Sequence, residues 1–100
     1  MVKHIILWDF PEGLPHGEQA RRGALIKAAL EGLVGVIPGL LRLRVSTELL
    51  GSSNAQLVLE SEFESPQALA DYTVHPAHQK AAAELVRPNV CNRRCADFEV

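Results

Sequence analysis

The sequence predicts an α+β fold of the ferredoxin-like kind, βαββαβ with a four-stranded antiparallel sheet, in a single domain over residues 1–100. Three observations predict it. Short runs rich in branched and aromatic residues, at both ends and in the middle, alternate with longer segments whose apolar residues recur at helical spacing. The two middle runs are separated by a turn too short for anything but a hairpin. Proline and glycine stand between the runs.

Taken in order, residues 2–10 read as a strand that ends before Pro11, Gly13 and Pro15. Val2, His4, Ile6, Trp8 and Phe10 lie on one side, and Lys3, Ile5, Leu7 and Asp9 on the other. From Gly17 to about Val36 the spacing of Ile26, Leu30, Leu33 and Val34 predicts an amphipathic helix, stopped by Pro38-Gly39. Leu41, Leu43 and Val45 alternate with Arg42, Arg44 and Ser46 in a second strand, and Ala55 to Phe63 forms a third after the turn Gly51-Ser52-Ser53-Asn54. Ser65-Pro66 opens a short helix to about Tyr72, the hydroxyl capping free amides and the proline filling the first helical position. Pro76 interrupts that helix, and a second piece runs from Pro76 to about Val86. The last residues, from Cys95, alternate as a closing strand, with Cys91 in the loop before it.

Composition narrows the function classes. Hydrophobic residues make up 47% and charged residues 22%, the balance of an ordinary soluble domain. A formal charge of -2, with arginines in scattered pairs, gives no field for steering nucleic acid or an anionic membrane. The amino-terminal apolar run, broken by His4 and Asp9, is too short for a spanning helix and has no cleavage site after it, so the expected compartment is the cytoplasm. Cys91 and Cys95 are then expected as free thiols.

Helices on one side of a small sheet leave its other face bare, and here both faces of the first strand are apolar. A symmetric dimer, sheet facing sheet around a shared barrel interior, covers it. The expected partner is therefore a second copy, and Ile6→Asp is expected to break the dimer.

The opening "VKHIILWDF", the central "PGL", the run "LVLESEFESPQALADYTVHPAHQKAAAELVRP" and the closing "RRCADFEV" resemble the stress-responsive dimeric A/B barrel family, called Dabb, over nearly the whole chain. The most specific parts are "FES", the pattern YxxHPAH and the terminal "DFE". The resemblance implies a homodimeric α+β barrel. Most members are small proteins of unassigned activity, some associated with stress. Some plant members are polyketide cyclases that use no metal or organic cofactor. In those a tyrosine and a histidine matching Tyr72 and His78 carry the chemistry, with histidines matching His4 and His75 in or near the pocket.

The first expectation is thus a cytoplasmic stress-associated or binding module with a small apolar cleft, for an apolar or carbonyl ligand, lined by His4, Ile6, Trp8, Leu59 and His75. The alternative is a cofactor-free cyclase-like or isomerase-like enzyme. His78 titrates near neutrality and can remove a proton alpha to a carbonyl, while Tyr72 keeps its proton and donates to the developing enolate. A cofactor-independent monooxygenase is a more distant alternative. Against catalysis stands an architectural role, with His75 and His78 framing a helix start around Pro76 and Tyr72 packed beneath. No metal is expected: His75, His78, Cys91 and Cys95 offer H-x2-H and C-x3-C pairs, but neither is a strong zinc pattern. Arg42, Arg44, Arg93 and Arg94 are expected to be balanced by Glu48, Glu60, Glu62 and Glu64.

Overall fold

The computed structural model describes residues 1–100. β1 (Val2–Asp9), α1 (His16–Glu31), β2 (Leu40–Ser46), β3 (Leu57–Phe63), α2 (Pro66–Val74), α3 (Pro76–Ala81) and β4 (Cys91–Glu99) follow one another, and the sheet order is β2-β3-β1-β4 with every neighbour antiparallel. This is the ferredoxin-like βαββαβ plan.

The sheet has two unlike faces. Val2, His4, Ile6 and Trp8 of β1 are buried together with Leu57, Leu59 and Phe63 of β3, and pack with Ile26, Leu30, Tyr72 and Val86 from the helical layer. The register sets the alternate residues Ile5, Leu7, Val58, Ala96 and Phe98 on the opposite face, where Phe98 is 47% exposed. Toward β2 that face becomes polar, with Lys3 3.6 Å and Arg42 4.0 Å from Glu62. Ile6 therefore belongs to the core under the helices, and the expectation that Ile6→Asp acts on a dimer surface is corrected. Neighbouring Ile5 occupies the open face.

Several boundaries move for local reasons. α1 stops at Glu31 rather than near Val36, because Gly32 closes it and Gly35, with φ of 85°, turns the chain through a left-handed step. A register shift between Leu40 and Arg42 buries Leu40 and Leu43 and turns Leu41 outward, which breaks the alternation read there. β3 begins at Leu57, two residues later than expected. β4 begins at Cys91, not Cys95, so both cysteines are strand residues; both are free and exposed.

Two caps place the chemistry. Ser65 Oγ accepts a hydrogen bond from the Ala68 amide at 3.1 Å and starts α2 with Pro66 in its first turn. His75 is at once the end of α2 and the cap of α3: its amide donates to the Tyr72 carbonyl and its Nδ1 accepts from the Ala77 amide at 3.1 Å. After α3 the helix widens into one π-helical turn, Ala82–Val86, before the chain enters β4. No helix is long and apolar enough to cross a membrane.

Candidate functional site

Between the helical layer and the sheet lies a cavity of about 510 Å³, within the range of small-molecule sites. Its apolar lining comes from both layers: Ile6, Trp8 and Leu59 from the strands, and Leu30, Ala82 and Val86 from the helices. His4, Tyr72 and His78 join them. His75 does not line it, because its ring is turned back to cap α3.

The geometry of Tyr72 and His78 follows from the break at Pro76. With α2 ending at Val74 and α3 starting two residues later, the two side chains meet although they sit on separate helices: their ring centroids are 4.2 Å apart and the planes are tilted by 39°. Phe63 packs edge-on against Tyr72 at 4.9 Å from beneath. No fully buried side-chain nitrogen or oxygen lacks a hydrogen-bond partner. The Tyr72 hydroxyl, bonded to no group of the chain, thus reaches the cavity. Burial pushes its pKa up to about 12, so the phenol keeps its proton at any physiological pH.

For His78 the tautomer is set by a neighbour. The Thr73 carbonyl, 3.3 Å from Nδ1, can only accept, so Nδ1 carries the hydrogen and Nε2 carries the lone pair. Burial holds its pKa below the usual histidine value, against the smaller opposing effect of the Thr73 carbonyl. A neutral imidazole with a free Nε2 is a base, and a protonated phenol beside it is a hydrogen-bond donor.

At the β4 side of the cavity His4 pairs with Asp97, which the register sets directly opposite. Nδ1 of His4 donates to the Asp97 carboxylate, and Ser61 Oγ fixes the strand beneath by donating to the His4 carbonyl at 2.9 Å. Asp97 went unrecognised in the sequence, where its only signal is the alternation of the closing strand. Cys95 completes a small cluster: its Sγ is 3.9 Å from His4 Nδ1 and 3.5 Å from Asp97 Oδ1, and the three donor atoms lie within 4.8 Å of one another. Such a set can approach a divalent cation, whereas His75, His78, Cys91 and Cys95 supply no such cluster. It is not a nucleophile triad. Cysteine and carboxylate address the same ring nitrogen, and burial followed by the Asp97 charge pushes the Cys95 thiol up, away from the reactive thiolate.

Of the arginines weighed in the sequence, Arg42 pairs with Glu62 and Arg94 with Asp9 at 2.9 Å. Arg93 has no carboxylate partner and lines the cavity, as does Arg87.

The family model for the stress responsive A/B barrel domain matches residues 2–100. The chain belongs to the stress responsive A/B barrel domain family. Among solved structures, this A/B barrel chain is similar to a dimeric protein of unknown function with a ferredoxin-like fold from Bacteroides fragilis, at 26% identity and a TM-score of 0.89, over 99% of this chain and 95% of that one. A dimeric ferredoxin-like protein of unknown function from Jannaschia is also 26% identical, with a TM-score of 0.78 over 99% and 98%. A hydroxynitrile lyase from Passiflora edulis shares the fold, at 18% identity and a TM-score of 0.74 over 97% and 90%. No curated protein matches the chain. The family assignment carries the fold and leaves the activity unassigned, since one fold hosts many chemistries.

Proposed function

We propose that this A/B barrel chain is a homodimeric small-molecule-binding protein whose ligand occupies the cavity between helices and sheet. The observation that carries the reading is the cavity itself: an apolar lining into which an unpartnered Tyr72 hydroxyl and the His78 ring converge. The open stripe of Ile5, Leu7, Val58, Ala96 and Phe98 supports pairing with a second copy, as do the dimeric structures to which the chain is similar. Trp8, the single tryptophan, lines the cavity and reports on it. Titration with medium-chain ketones is expected to change its emission saturably, and Ala82→Leu, which adds volume to the wall, is expected to weaken the effect. A series of ketones from four to twelve carbons that leaves the emission unchanged would sink the ligand reading.

A second reading is favoured by one specific observation, the complementary protonation of the pair. His78 Nε2 removes a proton alpha to a bound carbonyl, and the Tyr72 hydroxyl donates to the enolate oxygen; both steps need only side chains of the chain. Exchange of solvent deuterium into the alpha position of a bound ketone tests it without knowledge of the product. Exchange should vanish in His78→Ala and fall by about 10² or more in Tyr72→Phe, the scale of a lost oxyanion donor. Equal exchange in wild type and His78→Ala would leave ligand binding without catalysis.

A further inference from the structure

The cavity shared by Tyr72 and His78 is lined by two guanidiniums, Arg87 and Arg93, and by no carboxylate. The chain as a whole holds more acid than base, 12 against 10, so a lining charged in one sense departs from the surface average. Arg21, Arg22, Arg42 and Arg94 each have a carboxylate within 4.0 Å. Arg87 and Arg93 have none.

Each of the two comes directly after a backbone irregularity. Arg87 closes the π-helical turn Ala82–Val86, its amide bonded to the Ala82 carbonyl at 2.9 Å. That wider turn alters the direction in which the next side chain leaves the helix, and such turns concentrate at functional sites. Arg93 is next to Asn92, which holds φ of 54° where β4 shifts register against β1 between Leu7 and Asp9. A bulge re-aims side chains, and a left-handed non-glycine residue is maintained only when its surroundings enforce it. Here Asn92 Nδ2 is held by Asp9 Oδ2 at 2.7 Å, and Arg94 is drawn to the same carboxylate. Arg93, between them, is left to the cavity. After the larger effect of burial, both guanidiniums also contribute to the lowered pKa of His78, which places their charge within reach of the reacting end of the site.

We propose that Arg87 and Arg93 form an anion-binding mouth, so that the ligand of this cavity joins an anionic head group, a carboxylate or a phosphorus oxyanion, to an apolar body bearing a carbonyl. The apolar body lies against Ile6, Trp8 and Leu59, and guanidiniums suit either head group through paired charge-assisted hydrogen bonds. The inference rests on the ligand reading above and is independent of catalysis.

Calorimetric titration separates the two. The probes are 4-oxodecanoate and its methyl ester, and 3-oxononylphosphonate and its dimethyl ester. In wild type each anion is expected to bind about 10-fold or more tightly than its neutral ester, the scale of a charge-assisted hydrogen bond. The pair with the larger ratio identifies the head group. In Arg87→Gln/Arg93→Gln the anion and ester should bind alike, while Arg87→Lys/Arg93→Lys should retain most of the preference. Esters and anions that bind wild type equally, or a preference unchanged in the double glutamine variant, overturn the anionic mouth and leave the ligand reading standing. Binding by none of the four compounds overturns both.

Discussion

Ile5 and Ile6 are adjacent in sequence and differ only in the face they occupy, so substituting each in turn separates folding from assembly. Ile6 is 2% exposed and packs in the core. Ile6→Ala removes three carbons from that site, a loss that spans about 2 to 5 kcal/mol in well-packed interiors. Because its side chain borders the cavity, some of its surface has no packed neighbour to lose, and a value near 2 to 3 kcal/mol is expected. For a domain of this size that is a fall in Tm of roughly 10 to 20 °C. Ile5→Asp leaves the isolated fold nearly untouched, because the residue is only half-buried there. In a dimer closed over the open face it desolvates two carboxylates, one per copy by symmetry. At about 2 kcal/mol or more each, dimer affinity falls by roughly 1,000-fold. Urea denaturation at fixed protein concentration and sedimentation equilibrium measure the two effects. An Ile6→Ala protein as stable as wild type, or an Ile5→Asp protein that still sediments as a dimer at micromolar concentration, would refute the assignment of faces.

Three other outcomes are expected. Tyr72 is the only tyrosine, so an ultraviolet titration of the folded protein should show phenolate forming near pH 12 and, once the chain is unfolded, near the ordinary value of about 10; since the folded pKa is the higher, this group's contribution is full below pH 10 and is lost as pH rises toward 12, and a folded midpoint at 10 would contradict its burial. For His78 the folded pKa is the lower one, so its contribution is present above the unfolded value near 6.5 and is lost as pH falls below it; thermal melts of wild type should therefore decline on acidification more steeply than those of His78→Gln, and parallel curves would contradict the burial of the ring. Gly39→Ala should destabilise by about 1 to 3 kcal/mol in chemical denaturation, because Gly39 holds φ of 83° and a Cβ there would stand 2.6 Å from the Ala68 Cβ; an unchanged midpoint would mean that α2 moves aside freely.

Much of this architecture was legible in the sequence because local signals agreed. Alternation, the Ser65-Pro66 cap and the break at Pro76 set the order of elements, and that break also brought Tyr72 and His78 into view as neighbours. The hidden features depended on pairings distant in sequence or on single-residue shifts. Asp97 meets His4 across 93 positions, and no local pattern encodes that register. Leu41 and Ile6 were assigned to the wrong faces for different reasons: a bulge displaced the first, and for the second both faces of β1 are apolar, so alternation alone could not say which one the helices cover. His75 has the residue type of a pocket histidine, yet its backbone position makes it a cap. Arg87 and Arg93 were unreadable as cavity groups because a π-helical turn and a left-handed asparagine aim them.

The π-helical turn also bears on how such a barrel can diversify. It carries one residue beyond an α-helical circuit, and removing a single residue between Ala82 and Val86 would let the helix continue as ordinary α-helix while rotating the downstream residues by about 100°. Arg87 would then leave the mouth with no change in residue type anywhere. Chains of this kind can therefore gain or lose a charged gate by a one-codon insertion or deletion, and relatives aligned by residue identity alone would conceal the difference.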